Sequence, residues 1–244
     1  MSVNFTVNEG KTSYTVTSGS TNLLSAGQTS YYDVVSGVGA GGTNYPSVDL
    51  TGSNGVASGV IVSASVYSGG AVVAANGTIS GGTAYSGGAF VAANQGVAYD
   101  TVIASSGLLT VGKIQGYDGD PGKAIDPHVL AGGTAVVGGG FTAKGVTFSG
   151  AGVISGGTFD LGSVEDITSA GTNIGSLFGG TQILSAGGTS LSDIFSGGTQ
   201  LISGVNGGGY ASGSIVSSGG KVDVYSAGIL SAGTAAAGGT IMVE

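Results

Sequence analysis

VYSGGAVVAANGTISGGT occupies residues 66–83, and AYSGGAFVAANQGVAYDT follows it directly at residues 84–101. The two stretches share ten of their eighteen residues, and both carry Ser-Gly-Gly close to the start. A stretch written twice at a fixed interval is typical of stacked repeats, because one short unit cannot bury its own apolar side. The pair therefore predicts a repeat protein with a unit of about eighteen residues.

Further copies of the unit lie towards the C-terminus. GGTQILSAGGTS at 179–190 and GGTQLISGVNGG at 197–208 are again eighteen residues apart. Gly88 and Gly107 are nineteen residues apart. The unit is therefore degenerate, and we expect about 18–22 residues in each copy.

Each unit alternates short runs of apolar or β-branched residues with Gly pairs. Such runs, bounded by Gly, are typical of short strands. Gly makes up 53 of the 244 residues, and it costs about 1 kcal/mol per site in a helix interior, so helices are disfavoured. Gly also supplies the tight corners that a coiled chain needs.

The prediction for the fold is an all-β, right-handed parallel β-helix, or β-solenoid, in which every unit forms one coil. We expect residues 1–244 to form a single β-solenoid domain. Residues 1–20 match the repeat poorly and are a candidate N-terminal cap, because an open solenoid exposes strand edges at its ends.

Composition excludes several classes of partner. The chain has 13 acidic residues, five lysines and no arginine, which gives a net charge of −8. Nucleic acid and anionic membrane surfaces require a basic footprint, so neither is an expected partner. The absence of Cys excludes disulfides and thiolate metal sites. No apolar run reaches the roughly 18 residues of a membrane span.

Residues 112–130, GKIQGYDGDPGKAIDPHVL, differ from the repeats because they lack Gly-pair corners and contain the only His. We expect an inserted polar loop here, since loops project from a scaffold and often carry binding residues. A plain solvated insertion is the competing interpretation. If the loop binds a ligand, Tyr117 would supply the aromatic contact, and the polar contacts would come from Asp118, Asp120, Asp126 and His128.

No metal site and no cofactor is predicted. The DGD of residues 118–120 offers oxygen ligands for Ca²⁺, but the acidic residues that complete a Ca²⁺ loop are missing. Asp126 and His128 would need a nearby serine to form a hydrolytic triad, and sequence alone does not supply that geometry.

Two further sets of side chains have an expected location. Tyr67 and Tyr85 occupy matching repeat positions, so we expect their rings to stack beside a corner. The acidic residues of the repeats are scattered, and we expect most of them to face solvent: Asp49, Asp100, Asp160, Glu165, Asp166, Asp193 and Asp223. Glu165 and Asp166 should point to opposite sides of a strand.

The stretches VYSGGAVVAANG (66–77), IFSGGTQLISG (194–204) and IVSSGGKVDVYSAG (215–228) resemble the strand–loop–strand repeats of AIDA-type self-associating autotransporter passengers. The resemblance covers about residues 60–110 and 150–240. It implies a non-enzymatic, secreted or surface-displayed bacterial rod that acts in aggregation, adhesion or biofilm contacts. Partners would be other copies of the protein or surface glycans. Some members of the family are O-glycosylated on repeat serines.

The N-terminus MSVNFTVNEGK has no basic region followed by an apolar run, so no signal peptide is expected there. With no cap visible at the C-terminus, we expect the chain to be part of a longer protein. A polysaccharide-active parallel β-helix, lyase or hydrolase, is the enzymatic alternative. Acidic residues clustered on one face would favour the enzyme, and a Ser/Thr/Asn-rich surface would favour the adhesin.

Overall fold

The computed structural model describes residues 59–116, 119–143, 146–203 and 207–244, together with six strands nearer the N-terminus. Those six are β1 (Asn4–Asn8), β2 (Lys11–Val16), β3 (Thr21–Leu24), β4 (Thr29–Tyr31), β5 (Val34–Val35) and β6 (Thr43–Pro46). The described part of the chain consists of strands, turns and bends and contains no helix. The predicted all-β class is confirmed.

Each coil contributes three short strands, one to each of three walls. The first wall holds β8 (Ala71–Ala75), β10 (Ala89–Ala93), β13 (Leu108–Ile114), β16 (Thr134–Val137), β21 (Val164–Ile167), β24 (Thr181–Leu184), β27 (Thr199–Ile202), β30 (Lys221–Val224) and β33 (Thr240–Val243). The second wall holds β11 (Val97–Tyr99), β14 (Lys123–Ile125), β19 (Gly152–Ser155), β22 (Gly171–Ile174), β25 (Thr189–Leu191), β28 (Tyr210–Ser212) and β31 (Ile229–Ser231).

The third wall holds β12 (Val102–Ile103), β15 (His128–Val129), β20 (Thr158–Phe159), β23 (Leu177–Phe178), β26 (Ile194–Ser196), β29 (Ile215–Ser217) and β32 (Thr234–Ala235). Two longer strands, β7 (Val60–Val66) and β9 (Thr78–Ala84), run through both the second and the third wall. A hairpin of β17 (Phe141–Ala143) and β18 (Val146–Gly150) stands outside the three walls.

Within each wall, every strand pairs in parallel with the strands one turn before and after it, and the result is a β-solenoid of about nine turns. The register reproduces the sequence repeat. Ala71 pairs with Ala89 eighteen residues on, Ala89 pairs with Leu108 nineteen residues on, and Thr181 pairs with Thr199 eighteen residues on. The predicted solenoid and its repeat length are confirmed for these turns.

Among the turns that follow Ala71, two are longer than predicted. Leu108 pairs with Thr134, 26 residues on, and Thr134 pairs with Val164, 30 residues on. The first of these turns contains a loop at residues 115–121, and the second contains the β17–β18 hairpin. Both insertions leave the walls at the corner between the first and second strands, so the stacking of the coils continues past them.

The corner between the second and third walls has a left-handed backbone conformation in each coil from β7 onward. Its φ angles lie between 49° and 74° at Ser63, Gly81, Asp100, Asp126, Gly156, Gly175, Ser192, Gly213 and Ala232. Only four of these nine residues are Gly, so this corner also accepts residues for which positive φ has a modest free-energy cost. The requirement for Gly is stricter at the next corner, where the second Gly of Ser-Gly-Gly lies against the carbonyl group of the preceding coil.

The interior is filled by ladders of side chains that stack along the axis. The third wall contributes Ala84, Ile103, Val129, Phe159, Phe178, Phe195 and Val216, all buried and in register. The Phe159 and Phe178 ring centroids are 4.4 Å apart, and those of Phe178 and Phe195 are 4.9 Å apart. The ladder gives neighbouring coils a shared apolar core, which no single coil could form.

The prediction of an inserted loop over residues 112–130 is wrong in its bounds. Lys123–Ile125 pairs with β11 and β19, and His128–Val129 pairs with β12 and β20, so both segments belong to the coils. The corner between them is turned by Asp126 with φ 50° and Pro127, which take the place of a Gly pair. The loop itself is short, and the Gly122 N–H closes it by donating to the Gly112 carbonyl at 3.0 Å.

The β17–β18 hairpin covers part of the outer surface of the first wall. Ile114 pairs with Phe148 across an antiparallel bridge, and the rings of Phe141 and Phe148 stack at 4.8 Å. Phe148 belongs to an apolar cluster with outward side chains of β8 and β10, including Val73 and Val91. This second, external cluster explains why an outer face so rich in Ala and Val stays out of water.

Near the N-terminus, β1 and β2 form an antiparallel hairpin, and β2 then pairs in parallel with β5. An antiparallel hairpin differs from all the parallel rungs that follow it. The proposal that residues 1–20 cap the solenoid draws support from this pairing, and it stays a prediction.

Candidate functional surface

The outer surface of the second and third walls carries an aliphatic stripe, which we define as Ile174, Leu177, Leu191, Ile194 and Ile215. Leu177, Ile194 and Ile215 follow one another in register on three successive coils, and Ile174 lies beside Leu191 in the same way. Strand spacing places equivalent side chains about 4.8 Å apart along the axis. Ile174, Leu177, Ile194 and Ile215 are 40–45% exposed, so the stripe is a continuous apolar surface in contact with solvent.

In the described part of the chain, the second-wall and third-wall strands that carry the stripe expose no charge. Between residues 167 and 220 the sequence contains a single charged residue, Asp193, and that side chain is fully buried. Apart from the stripe, the exposed residues that the structure describes there are Ser, Gly, Ala170 and Tyr210. An uncharged apolar face on a chain of net charge −8 is a candidate interaction surface.

Tyr67 and Tyr85 directly follow β7 and β9 on neighbouring coils and form the predicted ladder. Their ring centroids are 4.8 Å apart with an angle of 6° between the planes. Both rings are about two-fifths exposed, which leaves their edges and hydroxyl groups accessible. Tyr99 is exposed to a similar degree on the second wall.

The residues predicted as a binding loop do not share one loop. Tyr117 and Asp118 lie outside the described residues. Asp120 is exposed near the end of the short loop, while Asp126 is exposed at the corner between the second and third walls. His128 lies on β15, where its Nε2 is 3.1 Å from Asp160 Oδ1 on the next coil. Asp160 was not part of the predicted set.

A shallow groove separates the short loop from the hairpin. Its described lining residues are Gln115, Gly140, Phe141, Thr142, Thr147, Phe148 and Ser149. None of these side chains is acidic or basic, so the lining offers no pair of carboxyl groups for glycoside chemistry. Among the described residues, no group of three His, Asp or Glu side chains is arranged to hold a metal ion.

The interior of the same coils that carry the aliphatic stripe holds an inner polar cluster. Its eight members are buried: Glu165, Asn173, Ser176, Gln182, Ser190, Asp193, Gln200 and Ser214. In the first wall, Glu165, Gln182 and Gln200 stand in one ladder between apolar Ala135 and Val222. Three polar layers therefore interrupt an otherwise apolar core.

Side-chain hydrogen bonds connect the whole cluster. Gln182 Nε2 donates to Glu165 Oε2 and to Asp193 Oδ2, both at 2.8 Å, and thus joins the two acidic side chains. Gln200 Nε2 donates to Gln182 Oε1 at 2.7 Å, and Ser214 Oγ donates to Gln200 Oε1 at 3.1 Å. Since buried polar groups are costly without partners, this connectivity is what allows the cluster to stay inside.

The expectation that these acidic residues face solvent is wrong for Glu165, Asp193 and Asp223, which are at most 3% exposed. Asp223 is held by an ion pair with Lys221 at 2.8 Å, and this hydrogen bond raises the pKa of Lys221. Burial, followed by repulsion from Asp193, raises the pKa of Glu165 to about 8. Asp166 is half-buried on the other side of the strand, so the predicted opposition of Glu165 and Asp166 is correct.

One sequence signal could have revealed the inner polar cluster. Gln182 and Gln200 occupy the same position in the two copies of GGTQ, eighteen residues apart. A polar residue that recurs in register stacks on its own copy in a solenoid, and amide ladders are stable when they are buried together. The acidic partners Glu165 and Asp193 do not recur and carry no such signal.

The fold and surface define the chain as a β-solenoid with an uncharged lateral face. Within its described part, no helix has the length and apolarity that a membrane crossing requires. Neither a protein-family model nor a curated protein matches the sequence. Among solved structures, the chain is similar to the crystal structure of a TibC-catalysed, hyper-glycosylated fragment of TibA. The TM-score is 0.61 at 19% identity, and the match covers 94% of this chain and 95% of that fragment.

Proposed function

We propose that this protein is a non-enzymatic, adhesin-like rod that is secreted or displayed on a bacterial surface and associates with further copies of itself. The repeats that resemble autotransporter passengers and the solenoid fold shared with the TibA fragment support this class. The observation that carries the proposal is the aliphatic stripe on second-wall and third-wall strands that expose no charge in the described residues. Two chains of net charge −8 repel each other least where neither presents a charge.

The order of the stripe also suits pairing of two identical chains. Ile194 stands at its centre, with Leu177 one coil before and Ile215 one coil after. A two-fold axis through Ile194 would place each Leu177 against Ile215 of the other copy, as an isologous interface requires. Many such weak contacts along aligned rods would add up through avidity.

Ile194→Lys is expected to weaken self-association at least tenfold, about 1.4 kcal/mol, because the ammonium group would have to leave water at the centre of the interface. Sedimentation velocity over a wide concentration range measures the association, and clumping of cells that display the chain gives a second readout.

Thr199→Lys is the matched control, since Thr199 faces outward on the first wall and pairs with the natural Lys221 of the next coil. This variant has the same charge as Ile194→Lys and should associate like the wild type. Equal association of both variants would remove the stripe from the interface. A wild-type chain that remains monomeric at every concentration would contradict the proposal itself.

We further propose that Asp120, Asp126 and His128, with Tyr117 and Asp118, contribute to recognition of a surface glycan. The exposure of Asp120 and Asp126 and the outward pair of His128 with Asp160 support a polar contact area. Asp126→Asn together with His128→Gln should weaken glycan binding about tenfold, through the loss of one or two charge-assisted hydrogen bonds. A glycan array measures this loss.

Stability should change little in this double variant, because Asn tolerates positive φ and an exposed ion pair contributes about 0–1 kcal/mol. A thermal melt therefore separates a lost contact from a lost fold. Array signals that match the wild type would remove these residues from the proposed contact area.

A further inference from the structure

We propose that the inner polar cluster makes the packing of the coils between residues 160 and 203 sensitive to pH, because these coils stay closed only while one of the two buried carboxyl groups, that of Glu165, holds a proton. This regulation of the rod's integrity does not depend on the proposed self-association. It rests on the geometry of the cluster and on the charges around it.

The hydrogen-bond partners favour the proton on Glu165, whose only side-chain partners are the amides of Asn173 and Gln182. Glu165 Oε1 lies 2.6 Å from the Asn173 side-chain amide, which is shorter than the 2.7–3.2 Å of N–H···O bonds and within the range of O–H···O bonds. The oxygen and nitrogen of an amide are assigned from the network, so Asn173 can present its oxygen to a protonated Glu165. The Asn173 nitrogen then faces Ser176 Oγ at 2.7 Å, and this hydroxyl can accept a hydrogen bond.

Hydrogen-bond donors around Asp193 stabilise its carboxylate in the ionised form. Its Oδ2 accepts from Ser190 Oγ at 2.6 Å and from Gln182 Nε2 at 2.8 Å, and its Oδ1 accepts from the Ser176 backbone N–H at 2.8 Å. The distance of 2.6 Å to a hydroxyl is that of a charge-assisted bond to a carboxylate. Three donors favour the ionised form, so the two acidic groups have different protonation states.

Loss of the Glu165 proton would leave two negative charges in one closed interior. The charged groups that act on Glu165 are Asp193 from the neighbouring coil and Asp166 from its own strand, and both are negative. No Lys or Arg occurs between residues 167 and 220. With no cation in this stretch to compensate, opening the coils to water relieves the repulsion.

The sign of the effect follows from the pKa of Glu165, which burial raises from 4.5 in the unfolded chain to about 8. Between these values the closed coils hold a proton that the open coils release. Opening therefore becomes easier as pH rises through this window, by a factor that approaches ten per pH unit, and levels off above it. Burial also raises the pKa of Asp193, which acts in the same direction.

Hydrogen exchange of the whole chain, read by mass spectrometry at pH 6 and pH 8 and corrected for the intrinsic exchange rate, tests the proposal. Peptides within 160–203 should open roughly fiftyfold more at pH 8 than at pH 6. Peptides within 84–111, where no buried side chain is ionisable and Asp100 is exposed, should show no such change.

Glu165→Gln should abolish the pH dependence in 160–203, because the amide replaces the protonated carboxyl and cannot ionise. Asp100→Asn is the matched control, since it makes the same chemical change on an exposed acid, and it should behave like the wild type. Equal pH dependence of exchange in Glu165→Gln and in the wild type would overturn the proposal. It would also be overturned if exchange rose by the same factor between pH 6 and pH 8 in peptides of 84–111 and of 160–203.

Infrared spectroscopy of the wild type keeps the test independent of whether Glu165→Gln folds. The carbonyl band of a protonated carboxyl should be present at pH 6–7 and lost as pH passes about 8. Absence of this band at pH 6 would show that Glu165 is already ionised, and the proposal would then be wrong.

Discussion

Phe178→Ala is expected to lower the free energy of unfolding by about 3–5 kcal/mol. Phe178 is fully buried at the centre of the stack of three rings, between Phe159 and Phe195. Truncation removes the transfer free energy of the ring and leaves a cavity, which the rigid rungs above and below cannot close. Each stacked pair adds about 0.5–1.5 kcal/mol beyond the buried area, and this variant loses two pairs.

Urea unfolding followed by far-ultraviolet circular dichroism measures the loss as a shift of the midpoint. Leu177→Ala is the matched control, because Leu177 precedes Phe178 on the same strand but is 45% exposed on the outer face. We expect this control to cost no more than about 0.5–1 kcal/mol. If the two variants lost equal stability, the assignment of inside and outside on the third wall would be wrong.

The interval between coils was predictable from the sequence because backbone pairing forces equivalent residues into register. The matching stretches at 66 and 84 therefore became the paired strands β8 and β10. Two insertions hid the repeat in the middle of the chain. There Asp126 and Pro127 turn a corner without Gly, and residues 123–129 were therefore mistaken for part of a loop.

The inner polar cluster could not be derived from local pattern alone. The sequence TQIL at 181–184 offers both Gln182 with Leu184 and Thr181 with Ile183 as the inward pair. A shift of one residue exchanges the two faces of a strand, and ordinary hydrophobicity would not select the pair that contains Gln. Gln182 lies inside because Glu165, Asp193 and Gln200 supply its partners, and these come from three other strands or corners.

The candidate surface was missed for a related reason. Ile174, Ile194 and Ile215 are apolar residues within strands, and the usual expectation places such residues in the core. The interior positions of the third wall are already taken by Phe178, Phe195 and Val216, which directly follow the outward Leu177, Ile194 and Ile215. Two adjacent apolar residues on one strand cannot both point inwards, so one of each pair must be exposed.

Gly88→Ala is expected to destabilise the solenoid by about 3 kcal/mol. Gly88 is the second Gly of a Ser-Gly-Gly corner, and a Cβ there would collide with the carbonyl oxygen of Val66 on the preceding coil. That oxygen accepts a hydrogen bond from the Tyr85 N–H at 2.8 Å, while the Gly88 carbonyl accepts one from Leu108 N at 3.0 Å. The added methyl group therefore forces two coils apart at a point where both are held by backbone hydrogen bonds.

Two further Gly→Ala variants separate the cost of a steric collision from the cost of a positive φ in Ala. Thermal unfolding of all three variants under the same conditions measures both costs. At Gly150 an added methyl group would meet no atom within 4 Å and φ is not positive, so Gly150→Ala should be neutral or slightly stabilising, by up to about 1 kcal/mol. Gly197 also has open space but has φ 78°, so its cost should be about 1–2 kcal/mol. The order of stability should thus be Gly150→Ala, then Gly197→Ala, then Gly88→Ala. If Gly88→Ala unfolded at the same temperature as Gly150→Ala, close contact between coils would not be the reason why the motif has Gly at its second Gly position.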